Sequence, residues 1–187
     1  MLKHLGEHSM YVEIAGFRDV AVKDSEELLK AVRRNLPAHV EIQLFDADLV
    51  ATWQHLYFSA LNALTAFRSG RGVSKSLAVE TVLYASTERQ IKKAIQCLGV
   101  KPSSRNVAAV ILTGNAGLAE AGLEVVAKCL GKEPDDAVLE LTEEKVKRVR
   151  AVFAISDAEL QTVLEKSSAD AVVDLVLERV ALLSTHL

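Results

Sequence analysis

Cysteine is scarce in this 187-residue chain: Cys97 and Cys129 are the only two, with no Cys-x-x-Cys spacing and no histidine set nearby. That pattern argues against a disulfide framework and a zinc site, and it fits a reducing compartment. Three prolines and nine glycines are too few for a collagenous chain or a low-complexity linker. Met1 to Gly6 carries no apolar stretch of the signal-peptide kind, so a cytoplasmic location is expected. The five histidines, His4, His8, His39, His55 and His186, are scattered, and the one pair at helical ligand spacing, His4 and His8, lies at the N-terminal end. There is no nucleophile elbow, no pair of carboxylates on a recognisable cleft element and no reactive-looking cysteine. The chemistry-bearing motifs of an enzyme are thus missing, and neither a metal nor a cofactor is expected.

Long uncharged runs are also few. The one that needs a membrane test spans Leu49 to Phe67, nineteen residues without a formal charge. Thr52, His55, Ser59 and Asn62 recur along one helical face, while Val50, Trp53, Tyr57, Leu64 and Phe67 fall on another. The segment is therefore expected to be a long, mostly buried helix of a soluble protein, with Trp53 and Leu64 in the core.

Half of the residues are hydrophobic and a quarter charged, enough apolar material for one compact domain over residues 1–187. Met10 to Phe17 alternates as a strand, and Asp24-Ser25-Glu26-Glu27 opens a helix carrying Leu28, Leu29, Val32 and Leu36 that ends at Pro37. Val40 to Phe45 is a second strand, with Asp46 or Asp48 as cap of the uncharged helix, which breaks at Ser69-Gly70-Arg71-Gly72. Helices follow over Ser76–Ala85 and Glu88–Leu98, the latter with Ile91, Ala94, Ile95 and Leu98 expected inward. Asn106 to Thr113 is an apolar run of strand length, suited to a central strand or one covered on both faces. A turn at Gly114-Asn115-Ala116-Gly117 leads to a helix ending near Leu130-Gly131. Ala137 to Leu141 is expected as a fourth strand, before helices over Glu143–Val152, Asp157–Lys166 and Ala169–Leu183. The class implied is α/β (α+β): about four strands in a mixed sheet, with an added helical layer.

Charge is unevenly spread. Residues 1–65 hold 6 basic and 9 acidic side chains, residues 66–105 hold 8 and 2, and residues 106–187 hold 8 and 14. A mildly acidic protein with one basic segment, formed by Arg68, Arg71, Lys75, Arg89, Lys92, Lys93, Lys101 and Arg105, can grip a polyanion locally; the other reading is a solvated helix face. The glycines Gly114, Gly117 and Gly122 offer an alternative function, a small-molecule or nucleotide site at a helix start, although their spacing fits no named phosphate motif.

Beyond these patterns, specific strings persist in order along the chain. They are Phe45-Asp46, the turn Gly70-Arg71-Gly72-Val73-Ser74-Lys75-Ser76, the stretch Leu77 to Ser86, Glu88 to Ile95 with Leu98-Gly99-Val100, and Ala109 to Leu112. Val146-Lys147-Arg148-Val149, Ser156-Asp157-Ala158-Glu159 and the last helix from Val173-Asp174 to Ser184 continue the series. Over roughly residues 38 to 185 the chain resembles the small kinase-binding accessory subunit of the KEOPS (EKC) tRNA-modification complex, the family that includes the eukaryotic PRPK-binding protein. The resemblance implies a non-enzymatic regulatory subunit without a cofactor. Its implied partners are the N-terminal lobe of the complex's small atypical kinase and the single-stranded CCA 3′ end of a tRNA destined for threonylcarbamoyladenosine formation; no membrane or DNA partner is expected. Arg71 and Lys75 match basic positions of the family's turn. With Arg89, Lys92 and Lys93 they form the expected tRNA-binding set, and Tyr84 is either a stacking residue or a core aromatic. On the last helix, Val172, Val173, Val176, Val180 and Leu183 form an inward stripe. Leu175 and Leu182, joined by Ala171, form a second apolar line expected to dock the kinase unless neighbouring helices cover it.

Overall fold

The computed structural model describes residues 1–5, 9–163 and 167–184. One sheet contains β1 (Leu2–Leu5), β2 (Met10–Phe17), β3 (Glu41–Asp46) and β4 (Val107–Thr113) in the order β1-β2-β4-β3. The α+β class and the four strands are as expected. All three pairings are antiparallel, however, where a mixed sheet was anticipated. Around the sheet, the described residues form helices α1 (Ser25–Asn35), α2 (Trp53–Arg68), α3 (Leu77–Ser86), α4 (Ile91–Leu98), α5 (Ala116–Leu130), α6 (Glu143–Val152), α7 (Asp157–Gln161) and α8 (Ser168–Leu183).

Strand β4 explains the layering. Val107, Ala109 and Ile111 belong to the core shared with Val32 of α1 and Val126 of α5, whereas Ala108, Val110 and Leu112 belong to the core under α2, α3, α6 and α8. Successive strand side chains point to opposite faces, so a strand covered on both sides must be apolar at every position.

One expected strand is absent and one unexpected strand takes its place in the sheet. Ala137–Leu141 is no strand: Asp136–Leu139 is a 3-10 turn, with the Asp135 side chain accepting from Ala137 N. Adjacent Val138 and Leu139 are both buried, which a strand with one buried face does not allow. The remaining strand is β1, pairing Leu2 with Glu13 and Leu5 with Met10 at the sheet edge. His4 lies in it, its ring 4.6 Å from that of Tyr11, while Gly6, His8 and His186 lie outside the described residues.

The uncharged segment also divides. Asp46 caps a 3-10 turn at Ala47–Leu49, accepting from Asp48 N, and α2 begins only at Trp53. Its orientation is the reverse of the expected one in part: His55 and Ser59 are fully buried, Trp53 is half-buried, and Phe58 and Phe67 face outward. Burial is possible because each polar group is matched. Ala51 N donates to His55 Nδ1 at 3.3 Å, Nε2 donates to Ala85 O at 2.8 Å, and Ser59 Oγ donates to His55 O at 2.6 Å. The helix expected over Asp157–Lys166 is α7, ending at Gln161; residues 164–166 lie outside the described ones. Among the described residues no helix is long and apolar enough to cross a membrane.

Candidate nucleic-acid interface and docking helix

The basic turn starts where α2 stops. Gly70 adopts φ +72°, a left-handed conformation that suits glycine, and Arg71 N bonds back to Ala66 O at 2.9 Å. From there to Ser76 exposure alternates: Arg71, Val73 and Lys75 face solvent, while Gly72, Ser74 and Ser76 are half-buried. Val73 is 54% exposed, more than any other large apolar side chain described. The inward members are anchored on two carboxylates. Ser74 N donates to Glu80 Oε2 at 2.8 Å, and Glu41 Oε2 accepts from Ser76 Oγ at 2.6 Å and from Ala78 N at 3.0 Å. Ser76 in turn caps α3, its Oγ accepting from Val79 N. The turn thus shows solvent a cation, an apolar group and a second cation, with its acids beneath.

Helix α3 is buried along nearly its whole length and ends at Thr87 in a left-handed conformation. Tyr84 lies in the core, which leaves it no face for stacking on a base. Its hydroxyl has no hydrogen-bond partner, and burial, reinforced by Glu80, pushes its pKa upward. Arg89 sits in the connection after α3, because α4 begins at Ile91 and not at Glu88; it therefore does not share a helical face with Lys93. Ala94 and Leu98 are inward as expected, but Ile91 and Ile95 are 39% and 45% exposed. With Lys92 and Lys93 also exposed, α4 offers solvent both charge and apolar surface. Val73, Arg89 and Leu183 line one small cavity over Glu80 and Tyr84, which brings the turn, the α3–α4 connection and the end of α8 together.

The expected docking pair on α8 is split. Leu175 is only 7% exposed and packs in the core with Ala171, Val172 and Val176, so the second apolar line is covered by the chain itself at that point. Leu182 is 44% exposed.

Residues 17–184 match the sequence model of the kinase binding protein CGI-121 family. The chain belongs to this family. The regulatory protein Cgi121 of Methanocaldococcus jannaschii is 31% identical over 116 residues, which are 62% of this chain and 72% of that protein. The family match reaches back to Phe17 and so takes in α1, ahead of residue 38 where the resemblance read from the sequence begins.

Elsewhere in this CGI-121 family chain, the other candidates are internally satisfied. A cleft of about 420 Å³ brings Arg18, Arg105, Lys145 and Arg148 beside Asp19 and Asp48. Arg148 pairs with Asp48 and Glu144, Arg105 with Asp19, and Arg18 with Asp135, so its guanidinium charge is already compensated. Lys145 is buried there, donating to Val138 O at 2.9 Å, and desolvation pushes its pKa down to about 8 against the opposing pull of Asp48 and Asp46. At the Gly114–Gly117 turn, Asn115 caps α5 through its own side chain, which accepts from Leu118 N. Gly122 is a packing position: a Cβ there would stand 3.0 Å from Ile111 Cγ2. No group of three or more His, Cys, Asp or Glu suited to a metal occurs among the described residues. Sequence reasoning missed Glu80 and Glu41. The signal for Glu80 was present, since it is the lone charge in the otherwise uncharged stretch Leu77–Ser86.

Proposed function

We propose that the chain is a non-enzymatic regulatory subunit of the KEOPS complex that docks on the small atypical kinase and recruits tRNA by its single-stranded CCA end for threonylcarbamoyladenosine formation. Family membership supports the kinase partner. The observation that carries the RNA half is the alternation along residues 71–76, with Arg71, Val73 and Lys75 outward. A single strand offers phosphates to cations and splayed bases to apolar groups, and the turn supplies both within a few residues. Arg89, Lys92 and Lys93 extend the positive surface, and exposed Ile91 and Ile95 on α4 add apolar contacts. Tyr84, being buried, takes no part.

Kinase docking is assigned to the end of α8, with Leu182 as contact residue; Leu175 supports the helix from inside. The test for RNA is anisotropy with a tRNA transcript and the Lys75→Glu variant. Affinity should fall in the variant while its melting temperature stays near the parent's, because exposed charges contribute little to stability. Unchanged RNA affinity in a Lys75→Glu, Arg89→Glu double variant would leave an adaptor for the kinase alone.

A further inference from the structure

We propose that Glu80 is the positioning residue of the RNA-facing turn: its buried carboxylate holds Ser74 so that Arg71, Val73 and Lys75 are presented outward together. The inference rests on the RNA reading above and adds to it a residue that touches no RNA. Glu80 is the one charged residue of an otherwise uncharged helix and is buried almost completely. Such a carboxylate is costly to bury unless it is hydrogen-bonded, and the partner it has is a backbone amide of the turn, Ser74 N, at 2.8 Å. Gly72 closes on the same carboxylate: a Cβ built there would lie 3.5 Å from Glu80 Oε2 and 3.4 Å from Phe67 Cα. The turn is thus seated on α3 at Gly72 and Ser74, the two half-buried positions that alternate with its exposed ones. Ser76 N donates to Ser74 Oγ at 3.1 Å, and Glu41 fixes Ser76 behind it. Ser74 and Ser76 are held by hydrogen bonds and Gly72 lies close to the Glu80 carboxylate, while Arg71 is held from the end of α2 by Ala66 O, so Arg71, Val73 and Lys75 are the exposed positions between them.

The sign of the charge makes this testable. A carboxylate beneath a polyanion site opposes binding by simple electrostatics, so a Glu80 that acted only through its charge would weaken RNA affinity. As a positioning residue it must strengthen it, by keeping the row ordered before RNA arrives. Glutamine retains an oxygen that can accept from Ser74 N and removes the charge; alanine removes both.

The experiment measures binding of a tRNA transcript ending in CCA to the full-length parent, Glu80→Gln, Glu80→Ala and Lys75→Glu, with thermal melting and kinase pull-down alongside. Lys75→Glu should weaken binding. Glu80→Ala should weaken it at least about fivefold, through loss of preorganisation, with kinase capture intact, and Glu80→Gln should bind like the parent or better. Should Glu80→Ala fail to fold, Ser74→Pro deletes the same hydrogen bond from the turn's side and should show the same loss. Parent-like or tighter binding by the alanine variant, or by the proline variant in its place, with Lys75→Glu weakened, overturns the positioning role and leaves the RNA reading standing. A Lys75→Glu variant that binds RNA normally removes that reading, and the inference with it.

Discussion

His55 is a neutral imidazole locked between Ala51 N and Ala85 O, with Phe153 edge-on at 5.5 Å between ring centroids. Desolvation pushes its pKa down to about 4 from 6.5, against the favourable bond to Ala85 O. The unfolded chain therefore binds the proton more readily between these values. Stability contributed by this residue is full above about pH 6.5, declines as pH falls toward 4, and amounts to about 3 kcal/mol over the whole window. Urea unfolding of the parent across pH 4–7 should show this loss, and a His55→Gln variant should lack that component of the slope. Leucines divide by burial in the same way. Leu64→Ala should cost about 2–5 kcal/mol, while half-buried Trp53, whose ring stacks under the Lys3 ammonium at 5.2 Å, should cost less. Leu175→Glu buries a charge in the core and should melt the protein well below the parent. Leu182→Glu should leave the melting temperature nearly unchanged and abolish kinase capture in a pull-down; full capture would move the docking face elsewhere.

At the scale of elements, much of the fold is legible in the sequence because caps and periodicities agree. Asp24, Ser76, Asn115, Thr142 and Ser156 each accept from the first turn of the helix that follows, and the unbroken run in β4 reports a strand covered on both faces. The failures have physical reasons. Leu2–Leu5 is a short edge strand with Lys3 and His4 exposed, a pattern too brief to carry periodicity. Asp136–Leu139 has strand-like composition but is held as a turn by contact with β2: Asp135 N donates to Gly16 O at 2.7 Å. A Cβ on Gly16 would stand 2.4 Å from Val138 Cγ2 and 2.7 Å from Asp135 O. Gly16→Ala should therefore destabilise the protein by about 1–3 kcal/mol, measured by denaturant unfolding. The basic turn itself was readable as a run of residue types, since glycine breaks and cations are local facts. That Glu80 lies under it was not, because the contact depends on how α3 turns beneath the chain. Likewise the outward placement of Ile91 and Ile95 follows from where α4 begins and what covers it, not from its spacing.

For the whole molecule, the segment 66–105, with 8 basic against 2 acidic side chains, is flanked by acidic stretches, in a chain of net charge −3. Glu80, one of those two acids, is hidden beneath the turn, so the charge shown to solvent there is more positive than the count suggests. Under the proposed reading, an acidic chain with a locally basic turn would repel polyanions generally and admit one where Arg71 and Lys75 face solvent. The cavity shared by Val73, Arg89 and Leu183 sets the basic turn against the end of α8. The central claim, that this surface holds a tRNA end, is tested most directly by titrating the purified protein with one tRNA transcript, with and without its terminal CCA, over a range of salt. Binding that requires the CCA and weakens with salt at a log–log slope of about −0.7 per phosphate neutralised is the predicted result. Equal affinity for the two transcripts, or affinity indifferent to salt, would contradict it.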